Sequence, residues 1–262
     1  MFPRIITVGD FFLPSYGVLV ALAFIVALWI TTKLAKEKGL DPDTVSNLAV
    51  YCAFGGIIGA KLTMYLFDWS HYWEHPDDMF SVSTLQAAGV YQGGLILAIG
   101  VAYWYMKKHG LPFLHTADLF TPGLAIAHAI GRLGCFAAGC CYGEKCTLPW
   151  AVTFTDPEAA RRVGVPLGIP LHPTQLYEAM GNLVLFVILW LKFRKGYKDG
   201  ELLGYYLILY SILRFGVEFF RHHEQALPFG LPISITQWIS VGLFLLGILV
   251  LTKATKTASK AR

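Results

Sequence analysis

Charge is what this sequence has least of. Only 15% of its 262 residues are charged, against roughly 25% in an average soluble domain. The net charge is +4 and no lysine-rich tract is interleaved with aromatics, so nucleic acid is not an expected partner. Cysteine is sparse as well. The five thiols, Cys52, Cys135, Cys140, Cys141 and Cys146, are odd in number and clustered, which does not read as a disulfide framework. No cleavable leader is expected: the first apolar run is too long, and its basic flank follows it. No internal repeat or low-complexity tract is visible.

What is present is apolar. The chain is 55% hydrophobic, with a mean hydropathy of +0.54, which places it among multi-pass membrane proteins. Long apolar runs cover about 15–34, 47–67, 90–106, 117–138, 175–193, 202–220 and 233–252. Each supplies most or all of the ~20 residues a crossing helix needs, the third being short. The expected fold is all-α, a polytopic membrane protein of seven transmembrane helices with a small external cap. One domain, 1–252, is expected. Residues 1–14 mix Phe, Ile and Leu with Arg4 and Asp10 and read as an interfacial arm. Residues 142–171 are rich in Gly and Pro, too few for a large independent core, and form the cap segment. Residues 253–262 make a basic cytoplasmic tail.

Loop charges set the orientation. Lys33, Lys36 and Lys38 follow the first run, and Lys107 and Lys108 the third. Lys192, Arg194, Lys195 and Lys198 follow the fifth, and the tail adds Lys253, Lys256, Lys260 and Arg262. The opposite loops hold few cations. The positive-inside rule therefore puts the amino terminus outside and the carboxyl terminus in the cytoplasm.

Against this background a few charges stand out. Arg132 lies in the fourth run, Glu178 opens the fifth, and Arg214, Glu218 and Arg221 lie along the sixth. Intramembrane ionisable residues are functional candidates by default. On a helix His128, Arg132 and Cys135 form one stripe, and Tyr210, Arg214, Glu218 and Arg221 another. Gly131, Gly134, Gly139 and Gly143 would let neighbouring backbones come close. Guanidinium forks suit an anionic phosphate. The same charges could equally be structural pairs, since buried charges are usually paired, and charge alone does not separate the two readings.

The order of motifs does. Tyr16-Gly17, Gln92-Gly-Gly-Leu95, Gly131-Arg-Leu-Gly134, Gly139, Gly143, His172-Pro-Thr-Gln-Leu-Tyr-Glu178 and the stretch Arg214 to Arg221 fall in sequence along the spans. In this the chain resembles the prolipoprotein diacylglyceryl transferase family over nearly its whole length. The resemblance implies a bacterial inner-membrane enzyme. Such an enzyme moves the diacylglyceryl group of phosphatidylglycerol onto the lipobox cysteine in the signal peptide of a preprolipoprotein, releasing glycerol phosphate. It implies roles for Tyr16, Arg132, His172, Glu178, Tyr210, Arg214 and Glu218. Arg132 and Arg214 would clamp the phosphate, Glu178 and Glu218 would orient them, and Tyr16 and Tyr210 would donate hydrogen bonds. Gln92, Gly93, Gly94, Gly134, Gly139 and Arg221 are expected to complete the substrate site among membrane lipid.

Three positions depart from the family pattern: Gln92, Cys135 and Cys140 stand where His, Asn and an acidic residue are usual. Gln92 cannot act as a base, so His172 is the remaining candidate. It could also cap the helix start, or the arginines could lower the thiol pKa without a side-chain base. Glu144 could replace the lost carboxylate but is expected to be a solvated loop residue. The attacking thiol is expected from the acceptor. The irregular C-x4-C-C-x4-C spacing argues against a metal site, so neither metal nor organic cofactor is expected. A Cys141–Cys146 bridge stays open. His128 is expected to bond across helices, and His222 and His223 to lie at the outer surface. Two alternatives of other classes are a drifted homologue that binds lipid or peptide, and a thiol-redox membrane protein.

Overall fold

The computed structural model describes residues 4–8, 11–81, 84, 89–221 and 233–260. His222 and His223 lie outside them. About 76% of the chain is helical, which makes it an all-α membrane protein. The long helices are α1 (Ser15–Glu37), α2 (Pro42–Phe67), α4 (Tyr91–Lys108), α5 (Phe113–Ala138), α7 (Thr174–Lys195), α8 (Glu201–Glu218) and α9 (Ile235–Lys260). Each coincides with one apolar run. α1, α2, α5, α7 and α9 are long and apolar enough to cross a membrane. α4 and α8 have 18 residues each, about 27 Å of helix, and they are the ones diluted by glycines and by charge. Short helices α3 (Trp69–Glu74) and α6 (Pro157–Val163) sit in the loops. The segment expected as an arm is a hairpin of β1 (Arg4–Val8) and β2 (Phe11–Pro14).

Contacts divide the chain into two compact units, Met1–Thr31 with Ala117–Arg262, and Thr32–Thr116. In the second unit Asp41 caps α2, accepting from Thr44 N at 2.9 Å, with Pro42 at the first position. This is the expected chemistry of a helix start. α4 then packs on α2 at backbone distance. A Cβ on Gly94 would stand 2.6 Å from Gly56 O, and one on Gly93 would collide with Thr63. Apolar lipid gives helices little reason to associate, so small residues that admit close backbones do that work.

The first unit holds the rest. Pro122 interrupts the hydrogen-bond ladder of α5 and frees the Asp118 carbonyl. Thr121 Oγ1 takes it up at 2.9 Å. The fully buried Asp118 carboxylate reaches the start of α8, accepting from Gly200 N at 2.6 Å and Leu203 N at 2.7 Å. After α5 the chain forms a small cap. β3 (Val152–Thr153) pairs with β4 (Pro170–Leu171). Phe154, Ala159, Val165 and Leu171 form its core, and Phe136 of α5 packs against it. The cap is thus seated on the end of α5 that carries the candidate residues.

Candidate active site

α5 ends in a turn that its sequence dictates. Gly139 takes φ 82°, the left-handed conformation that costs glycine nothing. Gly139 N donates to Phe136 O at 3.2 Å, and Cys140 N to Cys135 O at 3.1 Å. This is a Schellman closure, and its geometry lays residue 140 against residue 135. Cys141 follows at φ 61°, the one non-glycine in that region among the described residues. The start of α7 then pins the turn. Thr174 Oγ1 donates to Cys141 O and Gln175 Nε2 to Cys140 O, both at 2.7 Å. Two residues of the His172-Pro-Thr-Gln stretch therefore hold the α5 turn in place.

Gly143 is where three segments meet. Its N–H donates to His172 O at 3.0 Å, and Glu144 N donates to Phe220 O at 2.9 Å. A Cβ on Gly143 would collide with Phe220 O and stand 2.7 Å from His172 Cβ. Only glycine lets the α5 turn, the lead into α7 and the end of α8 converge. Glu144 itself is exposed. Gly134 serves a similar end: a Cβ there would lie 3.3 Å from Tyr16 Cδ2, so Tyr16 of α1 packs on α5 two residues along from Arg132.

This convergence assembles the charges. Arg132 Nε stands 2.6 Å from Glu178 Oε2, and Arg214 Nη1 3.6 Å from Glu178 Oε1. Arg214 Nη1 also meets Glu218 Oε2 at 2.5 Å. Ser234 Oγ donates to Glu218 Oε1 at 2.8 Å. Ser234 also starts α9 in a capping box: its N donates to Gln237 Oε1 at 3.0 Å, and Gln237 N returns to Ser234 Oγ at 3.2 Å. Glu178, Arg214 and Glu218 are buried, at 2%, 8% and 3% exposure, while the Arg132 side chain keeps 22%. The outcome is a continuous row, Arg132–Glu178–Arg214–Glu218–Ser234, from α5 through α7 and α8 to α9. Arg221 follows on, its backbone bridged to Gly143.

Beside the row, His128 Nδ1 bonds the Tyr206 hydroxyl at 3.0 Å, and its ring lies tilted against Tyr210, ring centres 5.2 Å apart. His172 Nδ1 lies 3.1 Å from Tyr177 Oη, which accepts from Trp150 Nε1 at 2.8 Å. Gln92, Gly93 and Gly94 belong to the other unit. There the glycines admit α2 and Gln92 is exposed in the first turn of α4.

Sequence reasoning missed Ser234, Asp118, Tyr177 and Trp150. Ser234-x-x-Gln237 was findable as a capping box. Asp118 stands out as a carboxylate inside the 117–138 run, but its partners Gly200 and Leu203 lie far along the chain, and Trp150 and Tyr177 give no local signal.

The comparisons agree with the motif order. A family model described as prolipoprotein diacylglyceryl transferase matches residues 3–253. A Clostridium tetani protein named phosphatidylglycerol–prolipoprotein diacylglyceryl transferase is 35% identical over 237 residues, covering 90% of this chain and 91% of that protein. Like-named proteins of Finegoldia magna and Photorhabdus laumondii are 32% and 33% identical, over 94% and 97% of this chain and 93% and 92% of their own lengths. With the charged residues of its later motifs folded into one row and matches spanning nearly its full length, the chain belongs to the prolipoprotein diacylglyceryl transferase family.

Proposed function

We propose that this protein transfers the diacylglyceryl group of phosphatidylglycerol to the lipobox cysteine of a preprolipoprotein and releases glycerol phosphate. The observation that carries the reading is the pair of arginines bridged by Glu178. Arg132 meets Glu178 through Nε, which leaves its terminal nitrogens for a phosphate oxygen. The two arginines and two carboxylates of this row balance, and Arg221, next along the chain from the row, adds one positive charge that suits a phosphodiester monoanion. The acceptor thiolate would attack the primary glycerol carbon, and the leaving phosphate would be stabilised by Arg132 and Arg214. Glu178 and Glu218 orient the two guanidinium groups. Tyr16 and Tyr210 would donate hydrogen bonds to the headgroup, with Gly134 and Gly139 shaping the approach and Arg221 adding charge at the mouth.

Deprotonation of the acceptor thiol is the step with the fewest candidates. His172 can serve as the base only if Tyr177 accepts from Nδ1, which leaves the Nε2 lone pair free. If Tyr177 donates instead, a neutral ring carries its proton on Nε2. The site is proposed to lie in a bacterial cytoplasmic membrane, with all seven long helices crossing, the amino terminus and cap external, and the basic tail inside. Complementation tests the reading as a whole. Expression in a bacterium depleted of its own transferase is expected to restore growth and lipidated lipoprotein. Failure of a well-expressed, membrane-inserted protein to do so would remove it.

A further inference from the structure

The charged row accounts for the arginines and leaves three thiols beside them without a role. The sulfur atoms of Cys135, Cys140 and Cys141 all lie within 4.8 Å of one another. All five cysteines are free, and Cys146 is not part of this group. The spacing in sequence argued against a metal. The fold reverses that argument, because the Schellman turn lays Cys140 on Cys135 and the left-handed Cys141 bends the next thiol back towards both. Sulfurs about 2.3 Å from a tetrahedral zinc ion stand about 3.8 Å apart. Each sulfur then has to move less than ~1 Å from the observed envelope of 4.8 Å. The turn that carries them is fixed by Thr174 and Gln175. The Gln175 Oε1 atom, at the other end of the amide that holds Cys140, is buried with no hydrogen-bond partner among the described residues.

We infer that Cys135, Cys140 and Cys141 form a three-thiolate zinc site whose fourth position binds the acceptor's cysteine thiol. This rests on the transferase reading and deepens it. Three protein ligands and one open position is the pattern of catalytic rather than structural zinc, and thiolate ligands select soft ions. The three cysteines are only half-buried, as an open position requires. A thiol that coordinates zinc gives up its proton outright. That proton passes to water, so no side-chain base has to stand at the sulfur. The bound sulfur supplies the electron pair for the new carbon–sulfur bond. The carbon–oxygen bond to the phosphate breaks with its pair on the phosphate oxygen, and glycerol phosphate leaves against Arg132 and Arg214. The product is a neutral thioether, a far weaker ligand, and it dissociates. Nothing is oxidised or reduced. Cys135 also sits one helical turn from Arg132 on the same face, which places the activated sulfur beside the phosphate clamp.

The test uses full-length protein, isolated in detergent without oxygen and then chelated. Zinc or cobalt(II) is returned, and metal content, absorption spectrum and lipid transfer are read on the same samples. One zinc per chain is expected, with thiolate-to-cobalt charge-transfer absorption in the cobalt form. A lipobox peptide with its cysteine should intensify that absorption, and the same peptide with serine should not. Cys135→Ser, Cys140→Ser and Cys141→Ser should each lose the metal and the spectral response, while Cys52→Ser keeps both. Transfer should fall at least tenfold on chelation and return with zinc. Because wild-type protein carries the chelation arm, misfolding of a variant does not hide the answer. No metal taken up at about micromolar zinc, a disulfide among the three thiols with no metal, or transfer unchanged by chelation would each overturn the site. A protein that transfers no lipid yet still answers the cysteine peptide in the cobalt spectrum would overturn the function and leave the site standing.

Discussion

Glu178 takes guanidinium groups from two different helices on its two oxygens, 2.6 Å from Arg132 and 3.6 Å from Arg214. A buried carboxylate so placed fixes the direction in which both forks point. Lysine keeps the charge and loses the fork. Arg132→Lys and Arg214→Lys should therefore each lower transfer at least about tenfold with normal expression. Near-normal rates for both would reduce the row to structural pairs. For His172 the readout is a pH–rate profile of His172→Gln. A base role predicts a fall of about a hundredfold or more and loss of the limb that an imidazole sets. An unchanged profile makes His172 structural, and deprotonation then falls to the field of the arginines or to the zinc site inferred above, which the chelation experiment separates. At this scale the sequence was partly legible. Arg132, Glu178, Arg214 and Glu218 were conspicuous because charge is costly in apolar runs. That Glu178 serves both arginines was not, since it depends on how three helices are rotated. Ser234 was legible as a helix cap but not as a partner of Glu218, and Tyr177 was invisible because it is not unusual where it stands.

The α5 turn is the element on which the site depends, and glycine makes it possible. Gly143→Ala places a methyl group into Phe220 O and against His172. Overpacking of this kind costs about 1–3 kcal/mol. It should lower the melting temperature in detergent and reduce transfer together. A Gly143→Ala protein of wild-type stability and activity would show that the convergence has slack. The cap depends on a different contact. Glu158 of α6 meets Arg4 of the hairpin at 2.5 Å and Arg162 at 2.6 Å. Hydrogen bonds from Arg162 and then Arg4 hold its carboxyl below the usual carboxylate range. A lowered folded value means that the contact contributes at neutral pH and fades as pH falls through that value. Hydrogen exchange at residues 4–8 should thus rise only once the pH falls below the usual carboxylate range. In Glu158→Gln it should be high at all pH, and exchange independent of both would remove the contact's role. The helices were legible from hydropathy, and each run became one. The hairpin was not, because a short strand pair among aromatics carries no period long enough to read. The cysteine grouping was not either, because it arises from left-handed residues at 139 and 141.

Over the whole molecule, hydropathy and loop charge carry separate information. Hydropathy marks α1, α2, α5, α7 and α9 outright, while α4 and α8 are dimmed by the glycines and charges they carry. Loop charge is what argues for seven crossings and an external cap. A reporter fused after Lys108 should face the cytoplasm, and one placed within residues 150–165 should face outward. The reverse at either position would break that arrangement. The claim that joins fold, row and cap is the reaction itself, and it can be measured directly. Purified protein is placed in liposomes with phosphatidylglycerol labelled in its acyl chains and a peptide bearing a lipobox cysteine. The peptide should gain the mass of one diacylglyceryl group on its sulfur, with one glycerol phosphate released for each. A serine peptide should gain nothing. Folded protein that leaves the cysteine peptide unmodified while phosphatidylglycerol is present would contradict the account.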